Sequence, residues 1–340
     1  MTITSQSKRS LFAAALLLLP AALIAPAGAS AGGGKAAGVR AELAGGTLNV
    51  DGGDRPNTVA LRLKAGDENQ IQIDVGDNGS PDFTFARNDV DAISVKMGNG
   101  RDSVRVDDTN GGFTNSIPTT VAGGNGGDTL DGGQGAETFR AGNGDDRVDG
   151  GRGNDRADLG RGDDIFRWDP GEGSDVIEGQ SGSDTMLFNG AAGDEDVTLS
   201  ANGGRLTFFR NPGAVTMDTD DVETVDFNAL DGKDNITVND LTGTDVTLTN
   251  LDLAETLGGT ASDGALDSVV VNATDGVDTI NIDGNGSGAD VTGLATAVSI
   301  KHADPSDADP SDSLVVNTLA GADHVIAAGV AGALDVLVNN

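Results

Sequence analysis

The chain has 340 residues, and its 54 acidic against 21 basic side chains give a formal net charge of −33. Such an acidic chain repels phosphate groups, which argues against binding to DNA, RNA or an anionic membrane surface. It has no cysteine, which excludes disulfides, thiol nucleophiles and cysteine zinc sites, and its 3% aromatic residues are too few to anchor a large globular core.

The first 31 residues predict a targeting segment. Lys8 and Arg9 precede an apolar run at residues 11–24, and small residues at 29–31 provide a cleavage position. The run has about fourteen residues, whereas a membrane-spanning helix needs roughly twenty. We therefore predict a cleaved signal peptide and export of the rest of the chain, with nothing later that is apolar enough to span a membrane.

Residues 32–46 are rich in glycine and alanine and predict a flexible lead-in. Residues 47–121 then predict a first solenoid-like region of short strands. Its apolar and polar residues alternate in runs that Gly, Asp, Asn and Pro separate, as is typical of strands joined by turns. The predicted strands are residues 47–50, 58–63, 70–75, 83–85, 92–96 and 103–106.

Residues 123–187 contain seven copies of a nine-residue unit, from GGNGGDTLD at the start to GQSGSDTML at the end. Glycines at the first, second and fourth positions allow tight turns and close stacking. The sixth position is acidic and the eighth is apolar, as expected of a side chain that points inward from a short strand. The candidate metal ligands are the acidic residues Asp128, Glu137, Asp146, Asp155, Asp164, Asp175 and Asp184 and the turn glycines Gly126, Gly135, Gly144, Gly153, Gly162 and Gly173.

The chemistry of this unit favours calcium. Carboxylates are hard oxygen donors, tight turns direct carbonyl oxygens to the same point, and Ca²⁺ takes six to eight oxygen ligands. Two units make one coil, so carboxylates nine residues apart lie on opposite edges and those eighteen apart stack on one edge. A disordered glycine-rich linker is the alternative, but 52 Gly and 9 Pro are about 18% of the chain, below the roughly 25–30% typical of low-complexity segments.

The unit resembles the haemolysin-type (RTX) calcium-binding nonapeptide, G-G-x-G-x-D-x-U-x. The resemblance implies a parallel β-roll at residues 122–189, with Ca²⁺ held between successive turns. Glu137 departs from the pattern by replacing aspartate, and the inserted pair Trp168-Asp169 shifts its phase. We expect Trp168 to pack at that irregularity.

Residues 190–340 predict further solenoid-like repeats of about 45 residues. The segments VDFNALDGKDNITV, VVVNATDGVDTINI and LVVNTLAGADHVIA align with one another, and ISVKMGNGRDSVRV at residues 93–106 aligns with them. A period near 45 predicts two coils of roughly 20–25 residues each. The aligned residues Asn228, Asn272 and Asn317 predict either a stacked polar ladder or corner caps.

The aligned aspartates of these segments are Asp102, Asp234, Asp278 and Asp323. They would either bind further Ca²⁺ or accept hydrogen bonds from the backbone of their own corner. The preceding glycine pair is missing from three of the four, which favours the corner role. Asp102 is an additional metal candidate.

The sequence thus predicts an all-β, elongated parallel β-solenoid with a central calcium-binding β-roll. We predict a secreted protein whose folding is driven by Ca²⁺ and whose role is structural or adhesive, with cell-surface or matrix components as partners. The alternative is a calcium-dependent polysaccharide lyase, hydrolase or epimerase on the same scaffold. The chain lacks the H-E-x-x-H and G-x-S-x-G motifs, which argues against zinc peptidases and lipases.

Overall fold

The structure is a computed structural model that describes residues 38–305 and 311–340; the predicted signal peptide and residues 32–37 of the predicted lead-in lie outside these ranges. Short runs with alternating buried and exposed side chains form strands, because one face of each run can then cover a core. The strands are β1 Arg40–Ala44, β2 Thr47–Gly53, β3 Thr58–Lys64, β4 Asp67–Val75, β5 Phe83–Ala86, β6 Ala92–Asn99, β7 Ser103–Asp107, β8 Thr119–Asn125, β9 Thr129–Asp131, β10 Glu137–Asn143, β11 Arg147–Asp149, β12 Arg156–Arg161, β13 Ile165–Trp168, β14 Val176–Ser181, β15 Thr185–Asn189, β16 Asp196–Asn202, β17 Arg205–Asn211, β18 Val215–Asp220, β19 Thr224–Asn228, β20 Asn235–Val238, β21 Leu248–Asp252, β22 Ser268–Asn272, β23 Thr279–Gly284, β24 Ala289–Thr292, β25 Ala297–Lys301, β26 Ser313–Asn317, β27 His324–Ala328 and β28 Asp335–Asn339.

These strands form two largely parallel sheets of 14 strands each, with one continuous apolar core. Sheet A has the order β1-β2-β6-β8-β10-β12-β14-β18-β17-β16-β20-β22-β26-β28, and sheet B has the order β27-β23-β24-β25-β21-β19-β15-β13-β11-β9-β7-β3-β4-β5. The chain crosses repeatedly from one sheet to the other as it coils. The predicted all-β parallel solenoid is therefore confirmed.

The central coils have the predicted period. In sheet A, Phe139 pairs with Val121 on one side and with Ala157 on the other, and in sheet B Val148 pairs with Leu130 and Phe166. Adjacent strands are thus eighteen residues apart, and each coil contributes one strand to each sheet. The eighth-position residues are fully buried, as predicted: Leu130, Phe139, Val148, Ala157, Phe166, Ile177 and Met186.

The inserted Trp168-Asp169 lengthens one coil, because Phe166 pairs with Met186, twenty residues later. The Trp168 ring is fully buried and stacks on Phe188, with the ring centroids 4.0 Å apart and the planes 7° from parallel. Its Nε1 donates a hydrogen bond to the Gly173 carbonyl over 2.9 Å. The expected packing role of Trp168 is confirmed.

The longest coils outside the central segment contain antiparallel excursions. Strands β3-β4-β5 and β23-β24-β25 form such excursions in sheet B, and β16-β17-β18 form one in sheet A. Val269 of β22 pairs directly with Leu314 of β26, 45 residues later. The prediction that a 45-residue period holds two coils is therefore wrong here, since these residues make one coil with an excursion.

The six strands predicted between residues 47 and 106 are confirmed as β2 to β7. The prediction of a flexible lead-in is wrong for residues 40–44, which form β1. This strand pairs antiparallel with β2, and its Ala41 and Leu43 pack against the core. Within the described ranges, no helix has the length and apolar character needed to cross a membrane.

Asparagine side chains stack along the ends of several strands. Asn317 donates to the side chain of Asn272 over 2.7 Å, and Asn272 donates to Asn239 over 2.8 Å. Asn228 donates instead to Asn189, and these two residues belong to sheet B, whereas Asn272 and Asn317 belong to sheet A. The predicted polar ladder is confirmed for Asn272 and Asn317, but Asn228 belongs to a different stack.

Candidate metal centre

Acidic residues lie where the glycine-rich turns end and the strands begin. We call the acidic residues directly before β7, β9, β11, β13 and β15 the first row: Asp102, Asp128, Asp146, Asp164 and Asp184. Those at the beginning of β10, β12 and β14 form the second row: Glu137, Asp155 and Asp175. The first row follows sheet B and the second row follows sheet A, so carboxylates nine residues apart lie on different edges, as predicted.

Hydrogen bonds join the carboxylates of each row from coil to coil. The Asp128 N–H donates to Asp146 Oδ1 over 2.6 Å, and the Asp146 N–H donates to Asp164 Oδ1 over 2.7 Å. In the second row, the Glu137 N–H donates to Asp155 Oδ1 over 2.6 Å. The same bond links the remaining neighbours, namely Asp102 to Asp128, Asp164 to Asp184 and Asp155 to Asp175. Carboxylates eighteen residues apart therefore stack on a common edge.

One oxygen of every row carboxylate is buried without a hydrogen-bond partner. The atoms are Oδ2 of Asp102, Asp128, Asp146, Asp155, Asp164, Asp175 and Asp184, and Oε1 of Glu137. None of these residues is more than 3% exposed. A buried acceptor that lacks a donor is costly, and an ionised one much more so, unless a cation compensates it. The donor set consists of oxygen alone, which fits a hard divalent cation such as Ca²⁺.

First-position glycines leave space beside these free oxygens. A Cβ added at Gly123 would lie 2.4 Å from Asp128 Oδ2, and one at Gly150 would lie 2.6 Å from Asp155 Oδ2. The corresponding distance from Gly179 to Asp184 Oδ2 is 2.7 Å. Any side chain at these positions would therefore collide with the carboxylate.

The fourth-position glycines stack in two columns, one along each edge. A Cβ at Gly144 would lie 2.4 Å from the Gly126 carbonyl oxygen, and one at Gly162 would lie 2.0 Å from that of Gly144. On the other edge, Cβ atoms at Gly153 and Gly173 would meet the carbonyl oxygens of Gly135 and Gly153. The structure thus places the six predicted glycines against one another's carbonyl oxygens, beside the rows.

Burial is the main cause of a large pKa increase along both rows. It raises the pKa of Asp128 and Asp164 to about 6, of Glu137, Asp146, Asp175 and Asp184 to about 7, and of Asp155 to about 9. Row hydrogen bonds act in the opposite direction, whereas neighbouring carboxylates raise most of these pKa values further. Without a cation, ionisation of the row carboxylates is therefore shifted towards neutral pH.

Asp108 was not predicted as a site residue. Its Oδ1 is buried without a partner, burial raises its pKa to about 6, and its charge raises the pKa of Glu137. Asp108 begins a short 3-10 helix, Asp108–Asn110, in the coil that precedes the second row. No nonapeptide surrounds it, so the repeat pattern could not identify it.

Two acidic groups outside the rows each bring three carboxylate oxygens within 4.8 Å of one another. One contains Asp149, Glu172 and Asp169 of the inserted pair, and the other contains Asp220, Asp221 and Asp245. Arg167 forms an ion pair with Asp149 in the first group. Both groups lie outside the rows, since none of their residues is at the sixth position of a repeat.

The four aligned aspartates do not share one environment. Asp278 accepts hydrogen bonds from the Thr274 N–H and hydroxyl of its own corner, as predicted. Asp102, Asp234 and Asp323 accept instead from backbone N–H groups of an adjacent coil. The corner role is therefore wrong for these three, and the structure places Asp102 in the first row.

Comparison with known proteins agrees with this geometry. The family model described as RTX calcium-binding nonapeptide repeat (4 copies) matches residues 120–146, 131–166 and 171–194. A search of curated proteins finds no match to the chain. RTX repeats bind Ca²⁺, and proteins that contain them are typically secreted. Residues 120–194 of this chain are therefore a segment of RTX calcium-binding nonapeptide repeats.

Proposed function

We propose that Ca²⁺ binding to the two rows is coupled to folding of the central β-roll. The observation that carries this proposal is the free, buried carboxylate oxygen that recurs at every turn. Asp128, Asp146, Asp164 and Asp184 would hold ions on one edge, and Glu137, Asp155 and Asp175 on the other. Asp102 and Asp108 would extend the two edges towards the N-terminal coils, and backbone carbonyl oxygens of the turn glycines would complete the ligand sets.

Coupling follows from how the rows are built. Row neighbours are 18, 20 or 26 residues apart in sequence, so only the folded coil brings their carboxylates together. Because the unfolded chain lacks this arrangement, the binding free energy becomes folding free energy. Bound Ca²⁺ supplies the positive charge that these buried carboxylates lack.

We further propose that the protein is exported through its N-terminal signal and acts as a structural or adhesive element at the cell surface or in the matrix. The acidic composition, the secretion typical of RTX proteins and the long stack of strands support this role. Extracellular calcium is abundant enough to fill sites of the 10⁻⁴–10⁻³ M class. The stack would then become rigid only after export.

Circular dichroism of residues 32–340 tests the coupling. We expect a largely unfolded spectrum in EGTA and a β-sheet spectrum in millimolar Ca²⁺, because the rows carry uncompensated charge without the ion. Mg²⁺ at the same concentration is the control, since it prefers a smaller octahedral site that keeps several waters. Identical spectra in EGTA and in Ca²⁺ would contradict the coupling.

Substitutions locate the sites. The double variant Asp146→Asn/Asp164→Asn keeps the Oδ1 acceptors of the row but replaces two free oxygens by amides. We expect its calcium midpoint to rise at least about tenfold, as the loss of ~1.4 kcal/mol of binding free energy would cause. Asp278→Asn is the control, because Thr274 already satisfies that carboxylate. Equal midpoints for both variants would place the sites elsewhere.

A further inference from the structure

A third acidic row follows sheet A beyond the nonapeptide segment. Glu195, Asp234, Asp267 and Asp312 lie directly before β16, β20, β22 and β26, which are neighbours in the sheet. We call these four residues the C-terminal row. The Glu195 N–H donates to Asp234 Oδ1, the Asp234 N–H to Asp267 Oδ1 and the Asp267 N–H to Asp312 Oδ1, each over 2.8 Å. This is the hydrogen-bond pattern of the central rows.

The C-terminal row also has free, buried carboxylate oxygens, as the central rows do. Asp234 and Asp267 are both fully buried, and the Oδ2 atom of each has no partner. Asp304 is 6% exposed, and its Oδ2 is likewise free. Asp312 connects Asp304 to the row, because its Oδ2 accepts from the Asp304 N–H over 2.6 Å. Three unsatisfied oxygens thus belong to one hydrogen-bonded corner.

Further negative charge surrounds this corner. Asp263 accepts from the Gly232 N–H over 3.0 Å, and its charge raises the pKa of Asp234, Asp267 and Asp312. In the part of the chain that the structure describes, no Lys, Arg or His forms an ion pair with these residues or with Asp304. The corner therefore lacks a protein cation of its own.

Glu195 shows how the same row is neutralised without a metal. Arg210 forms an ion pair with Glu195, and both residues are buried. Like Glu195, Asp234 and Asp267 donate their backbone N–H groups to the next carboxylate of the row, but no guanidinium pairs with them. The charge at their positions has to come from outside the chain.

We propose that the C-terminal row binds divalent cations between adjacent coils, with Asp234, Asp267 and Asp304 as ligands and Asp263 as an additional ligand. All available donors are oxygens, which suits Ca²⁺ and excludes the softer ligands that select zinc or copper. The site lies outside the RTX segment, which ends at residue 194. Its acidic neighbours are 33 and 45 residues apart rather than eighteen, so it is not a copy of the nonapeptide site.

The double variant Asp234→Asn/Asp267→Asn of the full chain tests this site. Asn keeps the Oδ1 acceptors of the row and removes the two charges. Bound Ca²⁺ per chain is counted by equilibrium dialysis, and hydrogen exchange is followed separately in residues 123–189 and 235–317. We expect at least one fewer ion per chain and a loss of the Ca²⁺-dependent protection in residues 235–317 only.

Two controls separate loss of a site from loss of the fold. Asp278→Asn should keep every ion, because Thr274 satisfies that carboxylate. Asp304→Asn removes a free oxygen that accepts no hydrogen bond, so it should reduce the ion count without lowering stability in EGTA at pH 5, where the chain folds without Ca²⁺. An unchanged ion count in both the double variant and Asp304→Asn would overturn the proposal.

Hydrogen exchange in the two regions also separates this proposal from the proposed coupling in the central β-roll. If residues 123–189 fail to respond to Ca²⁺ while residues 235–317 respond, the proposed coupling in the β-roll fails and the C-terminal site stands. The reverse result would support the β-roll and reject the C-terminal site.

Discussion

Acid should replace calcium as a stabiliser of the β-roll. The pKa values of the row carboxylates are raised by burial, so the folded state without Ca²⁺ binds protons more tightly than the unfolded chain. A raised folded-state pKa gives stability that is present in full below the unfolded pKa and is lost as the pH rises through the folded value. In EGTA, the protein should therefore fold better at pH 5 than at pH 7.

The size of the effect follows from three residues. The pKa of Asp146, Asp175 and Asp184 rises from 3.8 to about 7, and each of these residues is at most 3% exposed. Relative to acidic pH below the unfolded-state pKa, each group therefore lowers the free energy of unfolding by about 4 kcal/mol at pH 7, but by only about 1.7 kcal/mol at pH 5. The sum at pH 7, about 12 kcal/mol, equals the whole stability of a typical domain, roughly 5–15 kcal/mol.

Trp168 provides the assay, since it is the only tryptophan and is fully buried in the core. We expect its emission in EGTA to shift from that of an exposed ring at pH 7 to that of a buried ring at pH 5, which is still above the isoelectric point of 4.1. With Ca²⁺ the protein should instead become more stable as the pH rises from 5 to 7, because Ca²⁺ binding requires ionised carboxylates. The triple variant Asp146→Asn/Asp175→Asn/Asp184→Asn should reduce the pH dependence in EGTA. Equal folding at pH 5 and pH 7 in EGTA would refute the reasoning.

Two further predictions concern packing. Gly173→Ala should lower the free energy of unfolding in excess Ca²⁺ by more than about 3 kcal/mol, because its Cβ would lie 1.3 Å from the Gly153 carbonyl oxygen. Gly193→Ala is the control: its Cβ has open space, so the melting temperature should change little. Trp168→Ala should lower the free energy of unfolding, measured in urea, by about 3–5 kcal/mol. Phe209→Ala, at a partly exposed site, should lower it far less. Similar losses for the two variants would contradict a core role for Trp168.

The regular part of the fold could be predicted because every repeat position has one physical task. An apolar eighth residue has to point inward, so Val148 and Phe166 were assigned to the core from spacing alone, and they pair in adjacent strands. The stacking of Asp128 on Asp146 follows from the eighteen-residue period of the coil. Local spacing is sufficient where one coil repeats the previous one.

The excursions could not be predicted in this way. Alternating apolar and polar residues indicate a strand but not the direction of its partner, and β16 pairs antiparallel with β17 but parallel with β20. The segment of residues 225–238 aligns with residues 269–282, yet the first begins in sheet B and the second in sheet A. A sequence period therefore does not show on which sheet a repeat begins.

The C-terminal row was missed for a related reason. Asp267 and Asp312 have no glycine turn of the nonapeptide type, and they lie outside the segments that align with one another. A weaker signal was present, since residues 267–272 read DSVVVN and residues 312–317 read DSLVVN. In both, an aspartate precedes a strand that ends in a ladder asparagine.

Arginine marks the place where the stack does not need an outside cation. Between the second row and the C-terminal row, sheet A passes through the antiparallel strands β18, β17 and β16. Arg205 and Arg210 of β17 form ion pairs there, with Asp218 and Glu178 and with Glu195 respectively. Among the described residues, no carboxylate of the first or second row has such a partner. The coil that turns back brings the long side chain of Arg210 across to Glu195, whereas the coils of eighteen residues contain no strand that turns back.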